Sequence, residues 1–228
     1  MDLSMFLRKE SMKNAIFRRK GTRSLLLTLF LVGLLSGCPS VNTLHPARPV
    51  PVDKVEYSGG LGVYTFDDDL GSTTLPLVEA QARWGLGEQY DAGLKVTSFS
   101  MIQADLNYAL ILNEEFALSV DPTIAFLPLG GPLATYLWLP VLADVYTSEK
   151  LTLTLSGRVG HLFLSDSGNL DDDDDIGLDG ATGLWGIGIG MRHRLSDKLT
   201  LMPELHAVFP TEDVGADVLY SFSVGFLF

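Results

Sequence analysis

Four histidines supply the side chains that titrate near neutrality: His45, His161, His193 and His206. Glu204 and His206 stand two residues apart, so on a strand they share one face. With Asp213 nearby in the chain, they have the makings of an acid/base pair. Nothing else completes a reaction centre. No serine occupies a nucleophile-elbow context, and no His-x-x-x-His or paired-Asp motif appears. The expected role of His206 is therefore that of a hydrogen-bonded structural histidine. No catalytic residue, cofactor or metal ligand is expected.

The segment 164–181 carries Asp166, Asp171 to Asp175 and Asp179. Five successive aspartates repel one another and resist packing, which predicts a solvated loop. Carboxylate oxygens suit Ca²⁺, and Ca²⁺ is the one ion this loop would attract, although its spacing does not match an EF-hand. The chain as a whole has a net charge of −12. Residues 1–38 hold seven Lys/Arg against Asp2 and Glu10, so residues 39–228 carry −17. Such a body has no phosphate-neutralising patch, and nucleic acid is excluded as a partner. Gly183, Gly186, Gly188 and Gly190 surround Trp185, but no helix start comes after them that could hold a phosphate. In a strand they relieve crowding inside a curved wall.

The single cysteine, Cys38, cannot pair within the chain. Its surroundings are informative. Arg18, Arg19, Lys20 and Arg23 precede an apolar run from Leu25 to Leu35, which is too short for a spanning helix and has the length of a signal peptide. Leu35-Ser36-Gly37-Cys38 then resembles the lipobox of bacterial lipoproteins. The resemblance implies removal of 1–37, acylation of Cys38 and firm anchoring by two or three acyl chains. A start at Met12 gives a more usual signal length. Pro39 is not the Asp that holds members of that family at the inner membrane, which favours the outer one. Pro39, Pro46, Pro49 and Pro51 make 38–55 read as a semi-extended linker between lipid and domain.

The elements that must position these side chains lie in the rest of the chain. From residue 56 on, one unit repeats, an alternating segment and then a polar turn. The segments are 56–66, 73–85, 90–99, 101–112, 116–127, 133–146, 151–163, 182–194, 199–210 and 216–228. Val78, Ala80, Ala82 and Trp84 oppose Glu79, Gln81 and Arg83. Ile102, Ala104 and Leu106 oppose Gln103, Asp105 and Asn107. Each segment thus has one apolar and one polar face, at lengths that suit tilted membrane strands better than a soluble sandwich. Connections at 86–89, 113–115, 147–150 and 195–198 are short, and those at 67–72, 128–132, 164–181 and 211–215 are longer. The connection near Ser100 departs from that alternation. Tyr57, Tyr64, Phe66, Trp84, Tyr90, Tyr136, Trp138, Tyr146, Phe163, Trp185 and Phe209 fall mostly near strand ends, where interfacial girdles occur.

The last segment ends Tyr220, Phe222, Val224, Phe226, Phe228 at alternate positions. This resembles the C-terminal signal of bacterial outer-membrane β-barrels, and the resemblance extends over 56–228. It implies an all-β, antiparallel, up-and-down transmembrane barrel of about ten strands, with eight as the alternative. It also implies outer-membrane lipid and the barrel-assembly machinery as partners. Because the first connection is a long one, the first strand rises from the periplasm, on the side expected for the lipid anchor. The polar faces then send Glu79, Arg83, Lys95, Asp105, Asp121, Asp144, Arg158, Arg192, Glu204 and His206 into the lumen, where a narrow barrel requires them to pair.

The function expected is that of a non-enzymatic membrane component with a structural or surface-interaction role, with narrow solute passage as a variant. Two other classes stay open: a barrel enzyme acting on envelope lipid or peptide, and a periplasmic lipoprotein whose soluble β-domain binds a lipophilic ligand.

Overall fold

Alternation along the chain becomes a wall of paired strands. The computed structural model describes residues 40–68, 71–98, 101–128, 133–165, 182–211 and 218–228. Its strands are β1 (Val55–Asp68), β2 (Gly71–Gly85), β3 (Tyr90–Thr97), β4 (Ile102–Leu112), β5 (Ala117–Val120), β6 (Thr123–Pro128), β7 (Leu133–Thr147), β8 (Leu151–Ser165), β9 (Thr182–Ser196), β10 (Leu199–Pro210) and β11 (Leu219–Leu227). Each pairs antiparallel with its neighbours around the wall, and β1 pairs with β11, so Leu61 faces Val78 on one side and Val224 on the other. Among the described residues the sheet is closed, with no free edge.

The wall has ten positions because β5 and β6 are halves of one strand, both paired with β4 and β7. Asp121 and Pro122 separate them. Proline cannot donate to a ladder, and the chain bends locally to accommodate it. The Asp121 N–H still donates to the Pro140 carbonyl (2.9 Å), and the Leu106 N–H to the Pro122 carbonyl (3.2 Å).

The barrel is polar inside and apolar outside. Leu61, Val78, Ile102, Val159, Ile187 and Phe222 are all at least half exposed, while Glu79, Lys95, Asn107 and Asp144 are at most 3% exposed. An apolar outer surface of strands this long has its natural solvent in hydrocarbon, which about 9–11 tilted residues suffice to cross.

One end carries the start of β1, residue 228 and the turns 86–89, 113–116, 148–150 and 197–198; the end of β8 at Ser165 and the start of β9 at Thr182 belong to the other. The connection expected over 67–72 is short instead. Asp68 pairs with Gly71, so β1 and β2 run on until two residues remain between them. The facing ends of β3 and β4 are also close, with the Thr97 N–H on the Met101 carbonyl at 3.1 Å.

Three of the aromatics expected in interfacial girdles point the other way. Tyr64, Tyr136 and Trp138 fall on the inward parity of their strands and are buried with Val41, Leu77, Met101, Leu127 and Val208. Position in the two-residue repeat, not aromatic character, decides which solvent a side chain meets. Burying each such side chain contributes about 1.5–3 kcal/mol. Tyr57, Trp84, Tyr90, Tyr146 and Trp185 do face outward, and Trp185 stacks on Phe209 with ring centroids 4.2 Å apart.

Candidate functional site

The lumen is occupied by the protein's own chain. Residues 40–47 and Val50 are buried inside the wall, in the segment expected to span from lipid to barrel. Val41 packs into the inward apolar cluster, and Arg48 reaches the carbonyls of Asn113 and Glu114 in a turn at the β1-start end. The segment therefore runs along the lumen, then leaves through residues 51–54 to begin β1. There the Asp53 N–H bonds the Gly85 carbonyl, and the Gly85 N–H that of Lys54.

Wall carboxylates hold this plug by its backbone. Glu204 accepts from the consecutive N–H groups of Thr43 (2.9 Å) and Leu44 (2.7 Å), and from the Thr43 hydroxyl (3.1 Å). Asp144 accepts from the N–H groups of Ala47 (3.0 Å) and Arg48 (3.2 Å), and Asp91 from that of Val50 (2.7 Å). Leu44 has φ near 54°, the left-handed region that lets adjacent amides converge on an anion. Glu79 accepts from Asn42 Nδ2 (2.9 Å) and from the Ser40 hydroxyl. The cations hold the plug's acceptors: Lys95 donates to Ser40 Oγ (3.0 Å) and the Asn42 carbonyl, and Arg158 to the Val41 carbonyl.

Among the described residues, buried wall carboxylates outnumber wall cations. Glu79, Asp91, Asp105, Asp121, Asp144 and Glu204 face Arg83, Lys95 and Arg158. The plug answers part of that surplus with N–H donors and with Arg48, whose Nε lies 3.9 Å from Asp144. Charge-assisted bonds of this kind are roughly twice as strong as neutral ones.

Two side-chain clusters complete the lumen. In one, Arg83 spans three carboxylates: Nε to Asp91 at 2.9 Å, Nη1 to Asp105 at 2.6 Å and Nη2 to Asp121 at 3.9 Å. His45 of the plug places Nε2 3.2 Å from Asp121. Gly93 makes the arrangement possible, since a Cβ there would lie 2.5–2.7 Å from the Asp105 carboxylate and Arg83 Nη1. In the other, Arg158 Nη2 lies 2.9 Å from His206 Nδ1, and His206 Nε2 lies 3.0 Å from Glu204. Arginine only donates, so Nδ1 is the acceptor and Nε2–H donates to Glu204. His206 is thus a neutral imidazole with both nitrogens engaged. Gly188 leaves the space its ring fills.

Of the residues expected in the lumen, Glu79, Arg83, Lys95, Asp105, Asp121, Asp144, Arg158, Glu204 and His206 are buried there. Arg192 is only partly buried and pairs with Glu56 at 3.1 Å. Cys38, Asp213 and residues 166–181 lie outside the described residues. The plug, His45 and Asp91 are not legible as site residues from the chain alone. Asp91 alternates inward with Lys95, a signal that could have found it; His45 belongs to a segment with no periodicity.

No family model matches the chain, and no curated protein matches it. Several solved barrels are similar in structure. The β domain of the Bordetella autotransporter BrkA is 8% identical, with 77% of this chain and 99% of that one covered and a TM-score of 0.47. The NanC porin is 9% identical over 76% of this chain and 98% of its own, with a TM-score of 0.45. Neisserial surface protein A is 10% identical over 76% and 95%, with a TM-score of 0.42. At these values the likeness adds nothing to the architecture, which rests on the strand pairings.

Proposed function

We propose that the chain is a non-enzymatic component of the bacterial outer membrane, a barrel held shut by its own N-terminal segment. The observation that carries this reading is the pairing of an apolar outer wall with a lumen whose acids are ligated by the plug's backbone. A lumen filled in this way supports a structural or surface-interaction role. Wild-type protein reconstituted in planar bilayers should give no steady unitary conductance, and a stable open channel would contradict the reading.

Against an enzyme stands the state of the acid/base pair Glu204 and His206. Glu204 and His206 are at most 5% exposed, each is bonded on both sides, and the plug covers Glu204. A general base needs a free lone pair within reach of its substrate.

Narrow passage is the second reading, and it requires displacement of the plug. Among the described residues, the bare wall would then present six carboxylates against three cations, a path that prefers cations.

Acylation of Cys38 is proposed from its sequence context alone. Chain length constrains it, because two residues reach no more than about 7 Å. Ser40 is seated on Glu79 inside the wall, so in this reading full seating of the plug competes with anchoring of Cys38 at the periplasmic leaflet. Anchoring there and full seating of the plug are alternative states.

A further inference from the structure

His45 is held in an orientation that calls for a positive charge beside it. Its Nδ1 lies 2.9 Å from the Pro46 carbonyl, which can only accept, so a neutral ring carries its proton on Nδ1. Nε2 then carries the lone pair, and it faces Asp121 Oδ2 at 3.2 Å, another acceptor. Two acceptors at that distance in a buried site repel unless a metal ion or a second ring proton stands between them.

The neighbouring carboxylates are short of partners as well. Neither oxygen of Asp105 nor Oδ1 of Asp121 accepts a hydrogen bond of good geometry, and both residues are at most 7% exposed. Arg83 is the cation beside them, and it is shared with Asp91. Three carboxylates around one guanidinium leave two negative charges over, and uncompensated buried charge is costly. One donor atom from each of His45, Asp105 and Asp121 lies within 4.8 Å of the others.

We propose that His45, Asp105 and Asp121 bind a divalent transition-metal ion that clamps the plug to the wall. An imidazole nitrogen with two carboxylate oxygens suits Zn²⁺, with water as fourth ligand, better than Ca²⁺ or Mg²⁺, which favour all-oxygen shells. The charge of a divalent ion matches the surplus. The bond from Nδ1–H to a backbone carbonyl is the outer-shell contact that orients ligating histidines. Asp105 comes from β4 and Asp121 from the proline break between β5 and β6, so the ion would join two wall positions to the plug. A cavity of about 250 Å³ bordered by His45, Arg83, Glu56 and Arg192 provides the entry path.

The proposal does not depend on where the barrel resides. Its test uses the full chain without an affinity tag, in detergent micelles, stripped with EDTA and titrated with Zn²⁺ by calorimetry. Metal content after dialysis gives the stoichiometry. The wild type should retain one ion per chain and unfold at higher temperature with it. His45→Ala leaves the wall intact and should lose at least about tenfold in affinity, as should Asp105→Asn. His161→Ala and His193→Ala should bind as the wild type does. Co²⁺ should give a visible spectrum in the wild type that His45→Ala lacks. Absence of stoichiometric binding by the wild type, or equal binding by His45→Ala, would overturn the proposal and leave a proton on His45 as the bridging charge.

Discussion

Leu44 adopts a left-handed backbone, with φ near 54°, and its N–H donates to Glu204 Oε1 at 2.7 Å. Thr43 donates to the other oxygen at 2.9 Å. One carboxylate from β10 thus fixes two adjacent peptide units of the plug. Left-handed backbone at a leucine costs roughly 1–2 kcal/mol, and the paired charge-assisted bonds offset it.

Replacing Glu204 with alanine should therefore free the plug before it harms the wall. The Thr43 and Leu44 amides would lose their acceptor, at about 1–3 kcal/mol for each group left buried and unpaired. Hydrogen exchange at residues 41–45 should accelerate at least about tenfold, while the strand amides of β2 and β8 exchange as before. Unchanged protection at Thr43 and Leu44 would separate Glu204 from plug retention.

Gly225→Ala probes the same seat sterically. A Cβ at 225 would lie 2.8 Å from Leu44 Cδ2 and 3.2 Å from the Met202 methyl. Overpacking of this kind costs about 1–3 kcal/mol. The expected outcome is a lower thermal midpoint, partly restored by adding Leu44→Ala. Failure of the second substitution to recover any stability would place the strain elsewhere in the wall.

His206→Ala should behave as a loss of structure and not of chemistry. Arg158 would lose one of its acceptors and Glu204 a donor, for a stability loss of about 1–3 kcal/mol. Assayed on phospholipid, lipopolysaccharide and peptide substrates, wild type and variant should both match the protein-free control. Turnover by the wild type that disappears in the variant would restore the enzyme reading.

Much of the architecture could be read from the chain because a strand repeats every two residues and the barrel assigns each parity to one solvent. Val78, Ala80 and Trp84 against Glu79, Gln81 and Arg83 is enough to define a wall, and the ten expected segments match the paired strands within a few residues. Parity also places Glu204 and His206 side by side. What it does not reveal is depth. Tyr64, Tyr136 and Trp138 share the inward parity with charged residues, yet they form an apolar level around Val41. The plug escaped for a different reason. Residues 40–51 have no periodicity, and their prolines suit a linker as well as an extended lumen segment. The inward set read from the sequence carries both signs in similar numbers, so nothing in it called for N–H donors from elsewhere in the chain. The surplus of acids appears only when Asp91 turns inward and Arg192 stays partly exposed.

Cys38 offers a test of how anchoring and plugging are related. Intact-mass analysis of membrane-extracted protein should show the acyl groups on Cys38 in molecules whose residues 40–50 are open to protease. Molecules without acyl groups should resist cleavage there. An acylated population as resistant as the unacylated one would show that the two states coexist.

The measurement that reaches the central claim most directly is thiol accessibility in the folded barrel. Ala47 is fully buried and Val52 is 43% exposed, five residues along the same segment. In a Cys38→Ser background, Ala47→Cys and Val52→Cys would each be treated with a polar maleimide in detergent micelles, before and after boiling. The plug predicts prompt labelling at 52 and labelling at 47 only after unfolding. Equal, rapid labelling of both in the folded protein would mean that the segment lies outside the lumen, and the account of a self-plugged barrel would be wrong.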